Sequence, residues 1–200
     1  MKSKDEYKDK LYKEIKISLF KDREVLDVGC GDGEDAYNIS KFAKRVSAFD
    51  IVRSDKWKKY KKKNLNFKVA DAQNIPSKSN QFDGVFLKDV LHHVKNPEKV
   101  LEEIDRVSKK GAVIILVEGN RYNPLFYIHM TKMRGHEHLA KETFKRLVRK
   151  RFKNVKFYYF ESHFHPNKFI KLVLDVFSVI MKNTPILNKF LSYNVAVIIK

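Results

Sequence analysis

The stretch Val25-Leu26-Asp27-Val28-Gly29-Cys30-Gly31-Asp32-Gly33 constrains this chain more than any other. An apolar run of strand length ends in three alternate glycines, and a helical pattern begins at Glu34. Glycines at such a turn take positive φ without a Cβ penalty and let a ligand approach the backbone. Strand, glycine turn and helix in that order form the nucleotide-binding end of an α/β sheet. The spacing narrows the ligand. A dinucleotide fingerprint, G-x-G-x-x-G, would place its third glycine at position 34, where Glu34 stands. An oxidoreductase is therefore disfavoured.

The chain in order supports an α/β reading. Residues 3–20 predict an amphipathic helix, with Ser3 and Glu6 at capping-box spacing and Tyr7, Leu11, Ile15 and Leu19 on one face. A helix after the glycine turn runs to about Phe42, and Arg45–Asp50 is a second strand ending in an acid. In a nucleoside-binding fold a carboxylate there accepts hydrogen bonds from both ribose hydroxyls, and Ile51 and Val52 sit beside an adenine face. Residues 65–70 give a third strand, after which Asp71 is placed for an adenine amino group and the Ala72 amide for a ring nitrogen. Phe82–Leu87 is a fourth strand. Asn96 and Pro97 open a helix with Val100, Leu101, Ile104 and Val107 as its apolar stripe, and Gly111 is expected to stop it. Ala112–Val117 is almost wholly apolar, as a central parallel strand should be.

Three runs now stand in order: D-x-G-x-G-x-G from Asp27, D-A-x-x-I-P from Asp71, and F-D-x-V-x-x-x-x-V-L-H-H-V from Phe82. Together they resemble the class I S-adenosylmethionine-dependent methyltransferases, in particular the small-molecule and lipid-type branch that includes quinone-biosynthesis enzymes. Glu118-Gly119-Asn120-Arg121-Tyr122-Asn123-Pro124 is similar to an E-x-N-x-x-N-P run at the edge of that branch's acceptor pocket. The resemblance covers residues 24–120. It implies a Rossmann-like three-layer sandwich with a seven-stranded, mostly parallel sheet and an antiparallel last strand. It also implies S-adenosyl-L-methionine as cofactor. Asp27, Gly29, Gly31 and Gly33 would surround its methionine portion, Asp50 and Ile51 its ribose and adenine, Asp71 and Ala72 the adenine, and Lys88 the methionyl group. His92 and Glu118, at the ends of strands four and five, are the catalytic candidates near a small apolar or aromatic acceptor.

Composition bounds the rest. A chain of 200 residues fits one domain, read here as a cofactor half (21–120) and an acceptor half (121–200) with helical lid insertions. Cys30 is the single cysteine, so an intrachain disulfide and a thiolate zinc cluster are excluded, and it lies in the glycine turn rather than at a nucleophile's position. With no apolar leader in the first residues and no run long enough to span a bilayer, a cytoplasmic location is expected. The net charge of +18 favours acidic partners, either RNA or an anionic membrane surface, unless it is only a Lys-rich solvated face. The basic run at 53–63, with Trp57 and Tyr60 interleaved, reads as the wet face of a surface helix with its aromatics inward. Strand four is not followed by Asn/Asp-Pro-Pro-Tyr, which disfavours methylation of exocyclic amines in nucleic acid. An RNA methyltransferase and a non-catalytic cofactor-binding module remain the alternatives.

Beyond Pro124 the pattern fades. Leu125 to Gly135 is an apolar connection, residues 138–152 a basic amphipathic helix with Phe144, Leu147, Val148 and Phe152 inward, and 155–160 and 195–199 the last two strands. His136-x-His138 and His163-x-His165 raise a metal question, but the pairs lie on separate loops with no obligatory carboxylate, and no metal is expected. Residues 169–181 form a helix apolar on nearly every side, which must meet core, a homodimer partner, an acceptor-site ligand or lipid, before Pro185 breaks it.

Overall fold

The computed structural model describes residues 2–123, 138–161, 168–184 and 187–200. Within them seven strands form one sheet in the order β3-β2-β1-β4-β5-β7-β6. Strands β1 (Glu24–Val28), β2 (Arg45–Asp50), β3 (Leu65–Val69), β4 (Phe82–Lys88) and β5 (Ser108–Gly119) run parallel. Strand β7 (Tyr193–Ile199) inserts antiparallel between β5 and β6 (Val155–Phe160). Helices α1 (Lys2–Glu14) and α2 (Glu34–Ile39) cover one face of the sheet, and α3 (Pro97–Val107) and α4 (Lys141–Arg151) cover the other. This is the expected Rossmann-like α/β sandwich.

Burial on both faces explains the apolar strands. On β5, Ile114 and Leu116 enter one core cluster while Val113, Ile115 and Val117 enter the other. Helix α3 starts where Asn96 accepts a 3.0 Å hydrogen bond from the Lys99 N–H, and its four stripe residues are all buried. Strand β6 and the inward side chains Phe144, Val148 and Phe152 of the α4 region are as expected, with Leu147 half-buried.

Several boundaries differ. The first helix ends at Glu14, Lys16 turns left-handed at φ 58°, and Ile17–Phe20 is a 3-10 turn. With about three residues per turn, Ile17 and Phe20 align and go inward, and Leu19 is left 41% exposed. Gly111 does not stop the third long helix. That helix ends at Val107, and Gly111 (φ +80°) shapes the irregular start of β5 while donating to the Lys200 carbonyl at 2.7 Å. The 53–63 run makes only a short 3-10 helix (Asp55–Lys59), although Trp57 is turned inward as expected. Strand β7 begins two residues early. The connection at 125–135, His129, His136, His163, His165 and Pro185 lie outside the described residues.

Helix α5 (Lys168–Asn183) departs most from an ordinary core helix. Leu172, Val173, Val176, Phe177, Val179 and Ile180 are each more than half exposed, while Met181 is buried. Within the described residues, that face meets no core.

Candidate active site

The chain leaves β1 towards β2 and β3, and leaves β4 towards β5, so the connections part between β1 and β4. At such a switch point the carboxyl ends of the strands leave a crevice. Here it is a cavity of about 760 Å³, walled by the segments after β1, β2, β3 and β4. Its size suits a small molecule or cofactor.

The glycine turn forms one wall. Gly29, Gly31 and Gly33 have φ of +72°, +51° and +87°. A Cβ at Gly29 would run into the Val90 side chain, and one at Gly33 would stand 2.7 Å from the Phe67 ring and 2.9 Å from Trp57, whereas one at Gly31 would meet open space. Two of these glycines thus allow close packing, and Gly31 faces free volume. Asp50 holds the turn in place: its Oδ2 accepts from the Gly31 N–H at 2.8 Å and its Oδ1 from the Val52 N–H at 3.1 Å. Asp71 accepts from the Gln73 N–H at 2.8 Å, which fixes the bend carrying buried Ala72. Ile51 is exposed at the rim.

Of the residues expected at the cofactor, Gly29, Gly31, Asp50, Ile51, Asp71, Ala72 and Lys88 line the cavity. Asp27 and Gly33 stand behind its wall. Asp27 is buried, and desolvation with the nearby Asp35 charge raises its pKa well above the carboxylate range despite Lys88. Its Oδ2 accepts no hydrogen bond among the described residues. An orphaned carboxyl oxygen, an open Gly31 and acids after β2 and β3 fit a nucleoside cofactor bearing a cationic amine.

The electrostatics point the same way. Asp32, Asp35, Asp50, Asp71 and Asp89 line the cavity against Lys88 and Lys95, in a chain whose net charge is +18. Lys88 is engaged by Asp35 at 2.7 Å, and Lys56 by Asp32 at 2.8 Å. An acidic cleft in a basic protein concentrates cations rather than pyrophosphates. Burial raises the Cys30 thiol pKa far above its usual range, so this cysteine is no nucleophile.

Beside the cavity, His92 Nδ1 lies 2.6 Å from Glu118 Oε2. Their side chains are only 2% and 0% exposed. The other oxygen of Glu118 accepts from the Val90 and Leu91 N–H groups at 2.9 and 2.7 Å, locking the carboxylate. Burial opposes a charged His92, but the hydrogen bond and charge of Glu118, helped by Asp89, outweigh it and raise the imidazole pKa. It is His93, not His92, that lines the cavity.

Sequence reasoning missed four neighbours. Asp89, in a left-handed bend at φ 56°, lines the cavity, and burial together with the Glu118 charge pushes its pKa up to about 6. His138 lies against His92 with ring centroids 4.5 Å apart and the planes tilted by 57°. Asn194 and Tyr159 occupy the same row as Glu118 across β5, β7 and β6, and both Asn194 amide atoms and the Tyr159 hydroxyl are buried with no hydrogen bond among the described residues. An acid directly after the fourth strand was a visible signal for Asp89. The other three depend on strand pairing and on packing across the chain. Ligand atoms of Asp89, His92 and His138 lie within 4.8 Å of one another, so these three residues could hold a metal. The asparagines of the E-x-N-x-x-N-P run act as clamps: Asn120 Nδ2 donates to the Leu191 carbonyl and Asn123 Nδ2 to the Phe190 carbonyl, both at 2.8 Å.

Known proteins with a similar sequence or fold include methyltransferases. Residues 26–116 match the family described as a methyltransferase domain. A SAM-dependent methyltransferase from Archaeoglobus fulgidus superposes with a TM-score of 0.71 at 22% identity, covering 99% of this chain and 95% of that one. The tRNA U34 carboxymethyltransferase of Nautilia profundicola is 25% identical over 147 residues, 68% of this chain and 49% of that protein. A ubiquinone biosynthesis O-methyltransferase of Coxiella burnetii is 28% identical over 115 residues, 55% of this chain and 49% of that protein. The matches to these two relatives thus span about half of their length. Residues 26–116 thus resemble a methyltransferase domain, and the fold of the chain is that of the Archaeoglobus fulgidus protein.

Proposed function

We propose that this protein transfers a methyl group from S-adenosyl-L-methionine to a small apolar or aromatic acceptor of the lipid or quinone type. The acidic cavity at the switch point carries the cofactor side of this reading. Gly29 and Gly31 face the methionine portion, with Asp27 and Gly33 behind them in the same wall and Lys88 beside it. Asp50 takes the ribose, and Ile51, Asp71 and Ala72 take the adenine. Residues 121–200 then form the acceptor side of the same domain, with helical insertions as its cover.

The bound sulfonium supplies an electrophilic methyl group whose bonding electrons leave with sulfur. The protein must orient and desolvate the acceptor, and take up a proton where the acceptor is a hydroxyl or ammonium. His92 is the base for that proton: Glu118 fixes Nδ1–H, which leaves Nε2 as the acceptor atom. Asn194, opposite Glu118 in register, offers a buried amide to an acceptor oxygen. Incubating the protein with methyl-labelled cofactor and a fractionated cell extract tests the reading. Label in the organic-soluble fraction is the expected result.

A second reading, RNA methylation, is favoured by a basic groove of about 730 Å³ lined by Arg53, Lys58, Lys61, Lys62, Lys63 and Lys68 with Trp57 and Tyr60. The tRNA-modifying relative is consistent with it. Label in RNA, with affinity falling steeply as salt rises, would replace the small-molecule reading. Cofactor binding without turnover in any fraction would leave a non-catalytic binding module.

A further inference from the structure

Helix α5 exposes Leu172, Val173, Val176, Phe177, Val179 and Ile180. Scattered apolar residues on a surface need no explanation, but a contiguous face of large ones does. The helix packs on edge strand β6 and is tied to the first helix by Lys10 and Asp175, 3.3 Å apart. Its outer face is more than half exposed among the described residues. At 16 residues and about 1.5 Å per residue it is about 24 Å long, short of a bilayer's hydrocarbon core. No helix among the described residues is long and apolar enough to cross a membrane.

Charge selects the occupant. Residues 168–190 carry Lys168, Lys171, Lys182 and Lys189 against the single acid Asp175, which already has Lys10 as partner. Helix α4, which packs on the same edge strand, adds Lys145, Arg146 and Arg149 against Glu142, while its Lys141 is buried and its Lys150 and Arg151 pair with Glu98 and Asp105. Two copies of a +18 chain meeting at this edge would bring like charges together. An anionic lipid surface offers both an apolar layer for the exposed face and negative headgroups for the surrounding lysines.

We propose that α5 is an interfacial helix that docks this protein on anionic membranes, with Val176 and Phe177 at the centre of the inserted face. Docking stands apart from the methyl-transfer reading, because it is measured without turnover.

The test is cosedimentation of the full chain with phosphatidylglycerol–phosphatidylcholine vesicles and with phosphatidylcholine vesicles alone. Binding to the anionic vesicles, at least about tenfold weaker to the neutral ones, is expected. The double variants Val176→Asp/Phe177→Asp and Val176→Ser/Phe177→Ser should each lose binding about tenfold or more while S-adenosylmethionine affinity stays unchanged. The serine pair separates lost apolar contact from added negative charge. Full retention by the serine pair would mean that the basic surface binds alone, and would overturn the proposal. So would a failure of the unaltered protein to bind anionic vesicles. A dimer that the serine pair dissociates in analytical ultracentrifugation, with no vesicle binding, would assign the face to a second copy instead.

Discussion

The two ends of the sheet treat apolar side chains in opposite ways. Around β1, β4 and β5 they are covered on both faces, and the loops that emerge are held by specific acceptors such as Asp50 and Glu118. Beyond β6, a helix of similar apolar content presents half-exposed Val and Phe side chains outward. Position in the first region is set from within the chain. In the second, the outer face is left more than half exposed among the described residues.

That contrast can be broken or sharpened by experiment. The largest effect is expected at the cofactor cavity. Asp50→Ala removes the acceptor of two loop N–H groups and, in the proposed function, of the ribose hydroxyls, so calorimetry should show S-adenosylmethionine affinity falling about a hundredfold or more. Affinity within twofold of the parent would show that Asp50 does not hold the ribose. Next comes the turn itself. Gly29→Ala meets Val90 at a positive φ and should lower stability by about 2–4 kcal/mol in denaturant unfolding. An unchanged midpoint would show that the turn yields, and that this region is not rigidly set.

The third prediction concerns the buried pair. Since the His92 pKa is raised, the imidazole is protonated and useless as a base at low pH, and turnover should climb with pH through that raised value. Glu118→Gln removes the raising partner, so the limb should move to lower pH and maximal turnover should fall about tenfold to a hundredfold. An acid limb that stays in place would detach His92 from the chemistry. The same pair contributes stability that is fully present below the ordinary imidazole range and is lost as pH rises through the raised pKa. The smallest effect belongs to the outer helix face. Val176→Ser should change unfolding free energy by less than about 0.5 kcal/mol, because that residue is more than half exposed. Met181→Ala, on the buried side of the same helix, should cost about 2 kcal/mol or more.

The same contrast governs how far the sequence was readable. Strand β2 and the start of α3 carry local signals: a terminal acid, and an Asn-Pro pair ahead of an apolar stripe. The resemblance carried by such runs implied the fold class, and seven of the nine residues it assigns to the cofactor line the cavity. The break at Lys16 was not legible, since lysine has no special preference for the left-handed conformation it adopts. Gly111 reads equally well as a helix stop and as a strand irregularity, and pairing with Lys200 decided between them. The pairing of Asn194 with Glu118, and of His138 with His92, joins residues far apart in the chain. No local pattern encodes such meetings.

One consequence of the glycine turn is practical. Trp57 is the sole tryptophan of the chain, it stacks on Phe67 over Gly33, and its Nε1–H donates to the Gly31 carbonyl at 2.8 Å. The indole therefore senses the wall of the cavity through a hydrogen bond and a ring contact, with no second tryptophan to blur the signal under excitation that tyrosine does not absorb. Occupancy of the nucleoside cleft can be followed by intrinsic fluorescence in the unlabelled protein, before any methyl acceptor is identified.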